Sequence, residues 1–177
     1  MPRLFTALEI PTHLAVELSF LRGGLSGATW IDAEHYHITL RFIGDVDHAM
    51  AGDVVAALEN IRHAAFPVTL EQLDTFGGDR PRAIIARAKA APPLVQLQAA
   101  QEKLLQRIGI PPAPHKFVPH VTLARLRQSS AMAVADFLAA RGLFASRQFE
   151  AKRFVVYSSR DSVGGGPYRV EAEYPLG

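Results

Sequence analysis

A chain of 177 residues with 49% hydrophobic and 20% charged residues has the make-up of a soluble globular protein with a substantial core. Its net charge of +2 and sequence pI near 9.2 describe a mildly basic surface, compatible with an anionic ligand and too weak to coat duplex DNA. Cysteine is absent, which excludes disulfides, thiolate metal sites and cysteine nucleophiles together.

Leu4 to Ile10 reads as a first strand, and Pro11-Thr12 opens an amphipathic helix through about Leu21 that Gly23-Gly24 stops. Glu9 and Pro11 arrive too early for a signal peptide, and no later apolar run is long enough to span a bilayer, so a cytoplasmic protein without a membrane partner is expected. From Thr29 the chain turns β-like and runs into Tyr36 to Ile43, where apolar and polar residues alternate as on a half-buried strand that Gly44-Asp45 ends. A second helix, about His48 to Ala64, carries Val54, Val55, Leu58 and Ile61 at helical spacing and is closed by Phe66-Pro67. Two strands follow, about Val68 to Phe76 and Ala83 to Ala88, joined by the turn formers Gly77 to Pro81.

Pro92-Pro93 begins a third helix with Leu94, Leu97, Leu104, Leu105 and Ile108 on one stripe and Gly109 as its stop. Pro111 to Pro114 links it to a strand from Phe117 to Arg125. Ser129-Ser130 then starts a fourth helix to about Ala140, ended by Gly142. Two closing strands, about Phe149 to Ser158 and Tyr168 to Tyr174, flank the loop Gly164-Gly165-Gly166-Pro167. No linker or low-complexity stretch interrupts this order, so one domain over residues 1–177 is expected, and no long apolar stripe calls for a second copy, so a monomer.

Each half of the chain holds a strand with a His-x-Thr motif, His37-Ile38-Thr39-Leu40 and His120-Val121-Thr122-Leu123, 83 residues apart. That spacing is too long for a local metal motif and suits two structural halves facing each other. Residues two apart on a strand share a face, so His37 with Thr39, and His120 with Thr122, point away from the core while Ile38, Leu40, Val121 and Leu123 enter it. A groove between the two strands would hold two imidazoles and two hydroxyls with no carboxylate from either motif, a set suited to phosphodiester cleavage. One imidazole activates water and the other protonates the departing oxygen, each role being worth roughly 10² to 10⁴ in rate. Threonine hydroxyls donate to the phosphate oxygens, and arginine would strengthen the clamp. Arg41, four residues after His37, shares its face by strict alternation. Arg125, five after His120, reaches the groove only if its strand ends or bulges near Ala124. Both are retained as substrate-binding candidates.

The stretches Glu34 to Gly44 and Phe117 to Arg125 resemble the signatures of the bacterial and archaeal RNA 2',3'-cyclic phosphodiesterases, historically called 2'-5' RNA ligases, of the two-histidine (2H) phosphoesterase superfamily. The resemblance extends over nearly the whole chain, including Leu4-Phe5, Trp30 and Tyr174-Pro175-Leu176. It implies a bilobal, pseudo-two-fold α+β fold in which two antiparallel sheets form a central cleft with helices packed outside. It also implies hydrolysis of an RNA-terminal 2',3'-cyclic phosphate, or of a small cyclic nucleotide, to a 2'-phosphate without metal or other cofactor. ATP-independent 2'-5' joining would be the reverse activity. Under the resemblance His37 is the proton donor, His120 the proton acceptor, and Thr39, Thr122 and Arg125 hold phosphate. The pseudo-symmetric motifs by themselves do not assign acid and base.

Two other functions remain open at this level: an RNA-end binding module that leaves the cyclic phosphate unchanged, and a zinc hydrolase in which His35 and His37 bind metal with His115 or Asp32. His35 reads better as a groove-edge histidine. Trp30 and Phe42 read as core rather than as base-stacking residues, and Tyr157, Ser158 and Tyr168 are candidates for the cleft mouth.

Overall fold

The computed structural model describes residues 2–141, 144–159 and 167–177. Gly142 and Gly164 to Gly166, read above as a helix stop and a loop, lie outside the described residues.

Among the described residues four α-helices and nine strands follow one another as β1 (Arg3–Glu9), α1 (Thr12–Ser19), β2 (Ala28–Trp30), β3 (His37–Asp45), α2 (His48–Leu58), β4 (Phe66–Phe76), β5 (Ala83–Ala88), α3 (Pro92–Arg107), β6 (His120–Leu126), α4 (Ala131–Ala140), β7 (Arg147–Ala151), β8 (Arg153–Ser159) and β9 (Tyr168–Pro175), with a short 3-10 turn at Ala33–His35 before β3. The expected α+β class is observed. The strands pair antiparallel in the order β7-β4-β5-β6-β3-β1-β8-β9, with β2 added against β6. The two expected sheets are thus joined into one, but β3 and β6 register with each other through a single pair, Ile38 and Val121. These are the middle residues of the two His-x-Thr motifs. One lobe comprises β1, β3, β8 and β9, the other β2, β4, β5, β6 and β7.

Helix ends follow local chemistry. Asp47 and Ser130 cap α2 and α4 by accepting hydrogen bonds from the Met50 and Ala133 amides. Helix α3 opens on two prolines and its chain turns at Gly109, whose φ of 101° is open to a residue without Cβ. Helix α2 ends at Leu58, six residues before the expected Ala64, because residues 61–65 lead directly into β4, where Phe66 and Pro67 pair with Ala151 and Glu150. The expected strand Phe149 to Ser158 is two strands. Arg147 to Ala151 pairs with β4 in one lobe, and after Lys152 the chain pairs with β1 in the other.

The core lies on the face away from the histidines. Leu14 and Leu18 of α1, Val54 and Leu58 of α2, Leu94, Leu97 and Leu105 of α3, and Val134 and Phe137 of α4 close over Ile38, Leu40, Val121 and Leu123. Helix α3 packs on β3 and β4, next to α2. Strand β1 is buried from Leu4 to Leu8 because a second, smaller cluster of Phe5, Ala7 and Val155, with Tyr157 and Tyr168 against it, covers its other face. No helix of the described residues is long and apolar enough to cross a membrane.

Candidate active site

Antiparallel pairing through Ile38 and Val121 turns the neighbours of both residues to the opposite face of the sheet, so His37, Thr39, His120 and Thr122 line one cleft of about 990 Å³. The ring Nδ1 of each histidine lies within hydrogen-bond distance of the carbonyl two residues before it, His35 O at 2.8 Å and Val118 O at 2.7 Å. A carbonyl only accepts, so each Nδ1 carries the proton and each Nε2 is left for the cleft. In the first motif Nε2 lies 3.1 Å from Thr39 Oγ1.

The same irregularity follows both motifs. Along β3 the partners of Thr6 and Ala7 are Arg41 and Thr39, which skips Leu40; along β6 the partners of Ile84 and Ile85 are Ala124 and Thr122, which skips Leu123. The extra residue reverses the alternation beyond it. Leu123 and Ala124 are therefore both buried and Arg125 emerges in the cleft, as the sequence required of it. Leu40 and Arg41 are likewise both buried, and Arg41 does not reach the cleft. Its guanidinium instead binds the Glu102 carboxylate and donates to the carbonyls of Phe42 and Pro111. Glu102 also accepts from the Ala113 amide, so the pair ties β3 to the proline-rich link leading into β6, and the hydrogen bonds from Arg41, with that from Ala113, hold the Glu102 carboxyl down at about 2. Arg41 is corrected from substrate binding to this structural role.

The bulge also moves Phe42 from the core reading to the cleft, where it is 56% exposed. Trp30 packs against Phe137 and the core, as read. Tyr168 lines the cleft and Tyr157 sits behind it, with both rings edge-on to His37 at 5.2 and 5.9 Å; Ser158 is bonded to Glu171 instead. His35 sits at the cleft edge against Tyr168. Its ring and the Asp32 and Glu34 carboxylates have ligand atoms within 4.8 Å of one another, but His37 does not belong to that group. Thr29, Arg82 and Arg127, which the sequence reading passed over, line the cleft as well.

Burial dominates the electrostatics. Among Phe5, Tyr157 and Tyr168, His37 is so far removed from water that its pKa falls from 6.5 to about 4, with His120, Arg125 and His35 lowering it further and the bond to the His35 carbonyl opposing. His120, edge-on to Phe76 at 4.8 Å, is lowered in the same direction by burial and then by Arg87 and Arg125. Arg125 thus acts on both rings. No carboxylate is among the described residues that line the cleft. The arrangement offers two neutral imidazoles, two hydroxyls and a cation at one point, and an anion arriving there would favour protonation of the rings.

A family model, LigT-like phosphoesterase, matches the chain over residues 8–86 and 85–168, so each half carries one copy. The RNA 2',3'-cyclic phosphodiesterase of Aeropyrum pernix is 36% identical over 99 residues, which span 55% of this chain and 56% of that protein. The one from Aquifex aeolicus is 29% identical over 84% of this chain and 81% of its own length. The fold is also that of the Thermus thermophilus protein TT0787 (TM-score 0.81, 21% identity, 98% of this chain and 97% of that one). Escherichia coli LigT complexed with 3'-AMP shares it too (TM-score 0.77, 20% identity, 99% of both chains). With a family match in each half and a paired His-x-Thr cleft between them, the chain belongs to the LigT-like phosphoesterase family of the two-histidine superfamily.

Proposed function

We propose that the chain hydrolyses the terminal 2',3'-cyclic phosphate of RNA to a 2'-phosphate, using His37 and His120 as acid and base and needing no metal. The observation that supports this most is the meeting of both Nε2 faces, both threonines and Arg125 in one cleft without a carboxylate among its described lining residues.

In this reading the phosphate enters between Thr39, Thr122 and Arg125, which donate to its non-bridging oxygens. Its negative charge raises the proton affinity of both rings, and His37 takes up a proton at Nε2. His120 Nε2 removes a proton from water as the water oxygen bonds to phosphorus. The P–O3' bond breaks, the 3'-oxygen receives the His37 proton, and the products are a 2'-phosphate and a 3'-hydroxyl. The two rings have then exchanged protonation states and reset through solvent. Phe42, exposed on the cleft wall, offers a face on which the terminal base can stack. A nucleotide 5'-hydroxyl in place of water gives 2'-5' joining by the same proton transfers. The names of the Aeropyrum and Aquifex relatives support the substrate class.

The test is incubation of chelator-treated protein with an RNA oligonucleotide ending in a 2',3'-cyclic phosphate, followed by mass and phosphatase analysis. A 2'-phosphate without added metal is expected. A 3'-phosphate would reverse the leaving group, turnover only on adding metal would remove the two-histidine scheme, and binding without product would make the protein an RNA-end binder.

A further inference from the structure

We propose that Arg82 and Arg127 form a second phosphate site beyond Arg125, holding the 5'-phosphate of the terminal nucleotide, so that the enzyme selects a nucleotide chain over a free nucleoside cyclic phosphate. This rests on the reading of Arg125 and the two motifs given under Proposed function.

The first support is where the arginines without partners lie. Most arginines of the described residues are held by a carboxylate or a carbonyl, including Arg22, Arg41, Arg62, Arg87, Arg141, Arg147 and Arg153. Among the described residues five arginines have neither, Arg80, Arg82, Arg107, Arg125 and Arg127, and three of these, Arg82, Arg125 and Arg127, line the same cleft. Like charges gathered on one concave wall repel each other unless an anion joins them, so such a wall is an anion site in waiting.

The second support is spacing. Arg125 lies near the end of β6 and Arg127 one residue past it, both beyond the bulge and both exposed, with the Arg127 amide still paired to the Gly27 carbonyl. Two residues of extended chain span about 7 Å, roughly the step between successive phosphates of a nucleotide chain. Arg82 enters from just before the neighbouring strand β5: its carbonyl accepts from the Leu126 amide at 2.9 Å, and Ala83 pairs with Arg125.

The third is that both outer arginines are held by glycine-dependent backbone. Gly27, at φ 82°, lies so close that a Cβ on it would sit 2.4 Å from the Arg127 carbonyl oxygen, while its own carbonyl accepts from the Arg127 amide at 2.9 Å. Gly77, at φ 110°, would place a Cβ 2.2 Å from the Arg80 carbonyl oxygen and 2.9 Å from the Arg82 amide nitrogen, and the Arg82 amide donates to the Phe76 carbonyl at 2.8 Å. Only glycine fits such approaches. The two segments that carry the free guanidinium groups are therefore fixed before any ligand arrives, which reduces the ordering cost of binding.

The experiment compares kcat/KM for three substrates: a nucleoside 2',3'-cyclic phosphate, the dinucleotide carrying the same cyclic end, and that dinucleotide with a neutral methylphosphonate linkage. The dinucleotide should be preferred over the mononucleotide by about tenfold or more, in line with a charge-assisted hydrogen bond, and the methylphosphonate should lose that preference. Arg127→Gln and Arg82→Gln should each reduce the ratio of dinucleotide to mononucleotide and flatten its salt dependence by about 0.7 in log-log slope. Arg107→Gln, an exposed arginine on α3 outside the cleft, serves as the charge control and should leave the ratio in place. Equal use of all three substrates by the unmodified protein would overturn the second site while leaving the proposed function intact. A ratio unchanged in both cleft variants would overturn it too. Turnover of none of the three would instead remove the proposed function, and this site with it. The methylphosphonate comparison needs no variant, so misfolding of a mutant does not decide the outcome.

Discussion

Strands β3 and β6 share one backbone device and use it for different ends. Both carry His-x-Thr-Leu, both bulge at the leucine, and both bury the next residue before returning a side chain to the cleft. In β6 the buried residue is Ala124 and the returned one is Arg125; in β3 they are Arg41 and Phe42. The first lobe thereby gives the cleft an aromatic wall, in which His37 is deeply desolvated, and the second a cationic one. A duplicated backbone thus supplies the symmetry of two imidazoles, and the residues four and five places after each histidine supply the difference a directional reaction needs.

The largest effect that would probe this comparison is loss of either ring. His37→Ala and His120→Ala should each reduce turnover of a cyclic RNA end by roughly 10² to 10⁴, with Thr39→Ala and Thr122→Ala losing less, as single-turnover rates would show. Full turnover in either histidine variant would end the two-histidine scheme.

Next is the buried guanidinium that only β3 carries. Arg41→Ala leaves the Glu102 carboxylate and two carbonyls without their donor, so it should destabilise the fold by about 3 to 5 kcal/mol in denaturant melts. The double change Arg41→Met with Glu102→Leu should cost less, since no charge is then stranded. If Arg41→Ala were instead as stable as the unmodified protein but failed to bind phosphate, Arg41 would belong to the cleft after all.

The desolvation of His37 has a sign that stability measurements can read. Its proton affinity is lower in the folded chain, so above pH 6.5 both states leave it neutral and nothing changes. Between 6.5 and about 4 the unfolded chain binds the proton first, and the fold loses about 3 kcal/mol from this ring at roughly 1.4 kcal/mol per tenfold change in proton affinity. His120 adds in the same direction. Inorganic phosphate should oppose the loss by favouring the protonated rings, and a melting temperature that rises on acidification through this window would contradict the burial of His37.

The smallest effect belongs to the aromatic wall. Phe42→Ala should weaken kcat/KM by about tenfold through lost stacking, equally for different bases, whereas Phe42→Leu tests whether an apolar surface suffices.

Most strands and all four helices were legible because alternation with period two and stripes at helical spacing survive in the sequence, and the two motifs named their own chemistry. What misled was the same alternation carried too far. A bulge leaves no mark of its own in Thr39-Leu40-Arg41-Phe42, so strict counting put Arg41 in the groove and Phe42 in the core, the reverse of what is found. Only the parallel with Thr122-Leu123-Ala124-Arg125, where a bulge was required, held the information to correct it. The division at Lys152 was hidden for a related reason: Phe149 to Ser158 reads as one continuous strand, and the change of lobe is set by which partners, β4 or β1, receive it. Arg82 and Arg127 were missed because neither belongs to a motif, and their meeting depends on the pairing of β5 with β6.

The most direct test of the division of labour uses a substrate that does not need the acid. A nitrocatechol cyclic phosphate is a five-membered cyclic diester whose phenolate leaves unprotonated. If His37 serves the leaving oxygen and His120 the water, His37→Ala should hydrolyse it at close to the rate of the unmodified protein while His120→Ala remains impaired by about 10² or more. Equal impairment of both variants, or sparing of His120→Ala alone, would contradict the assignment of the two rings.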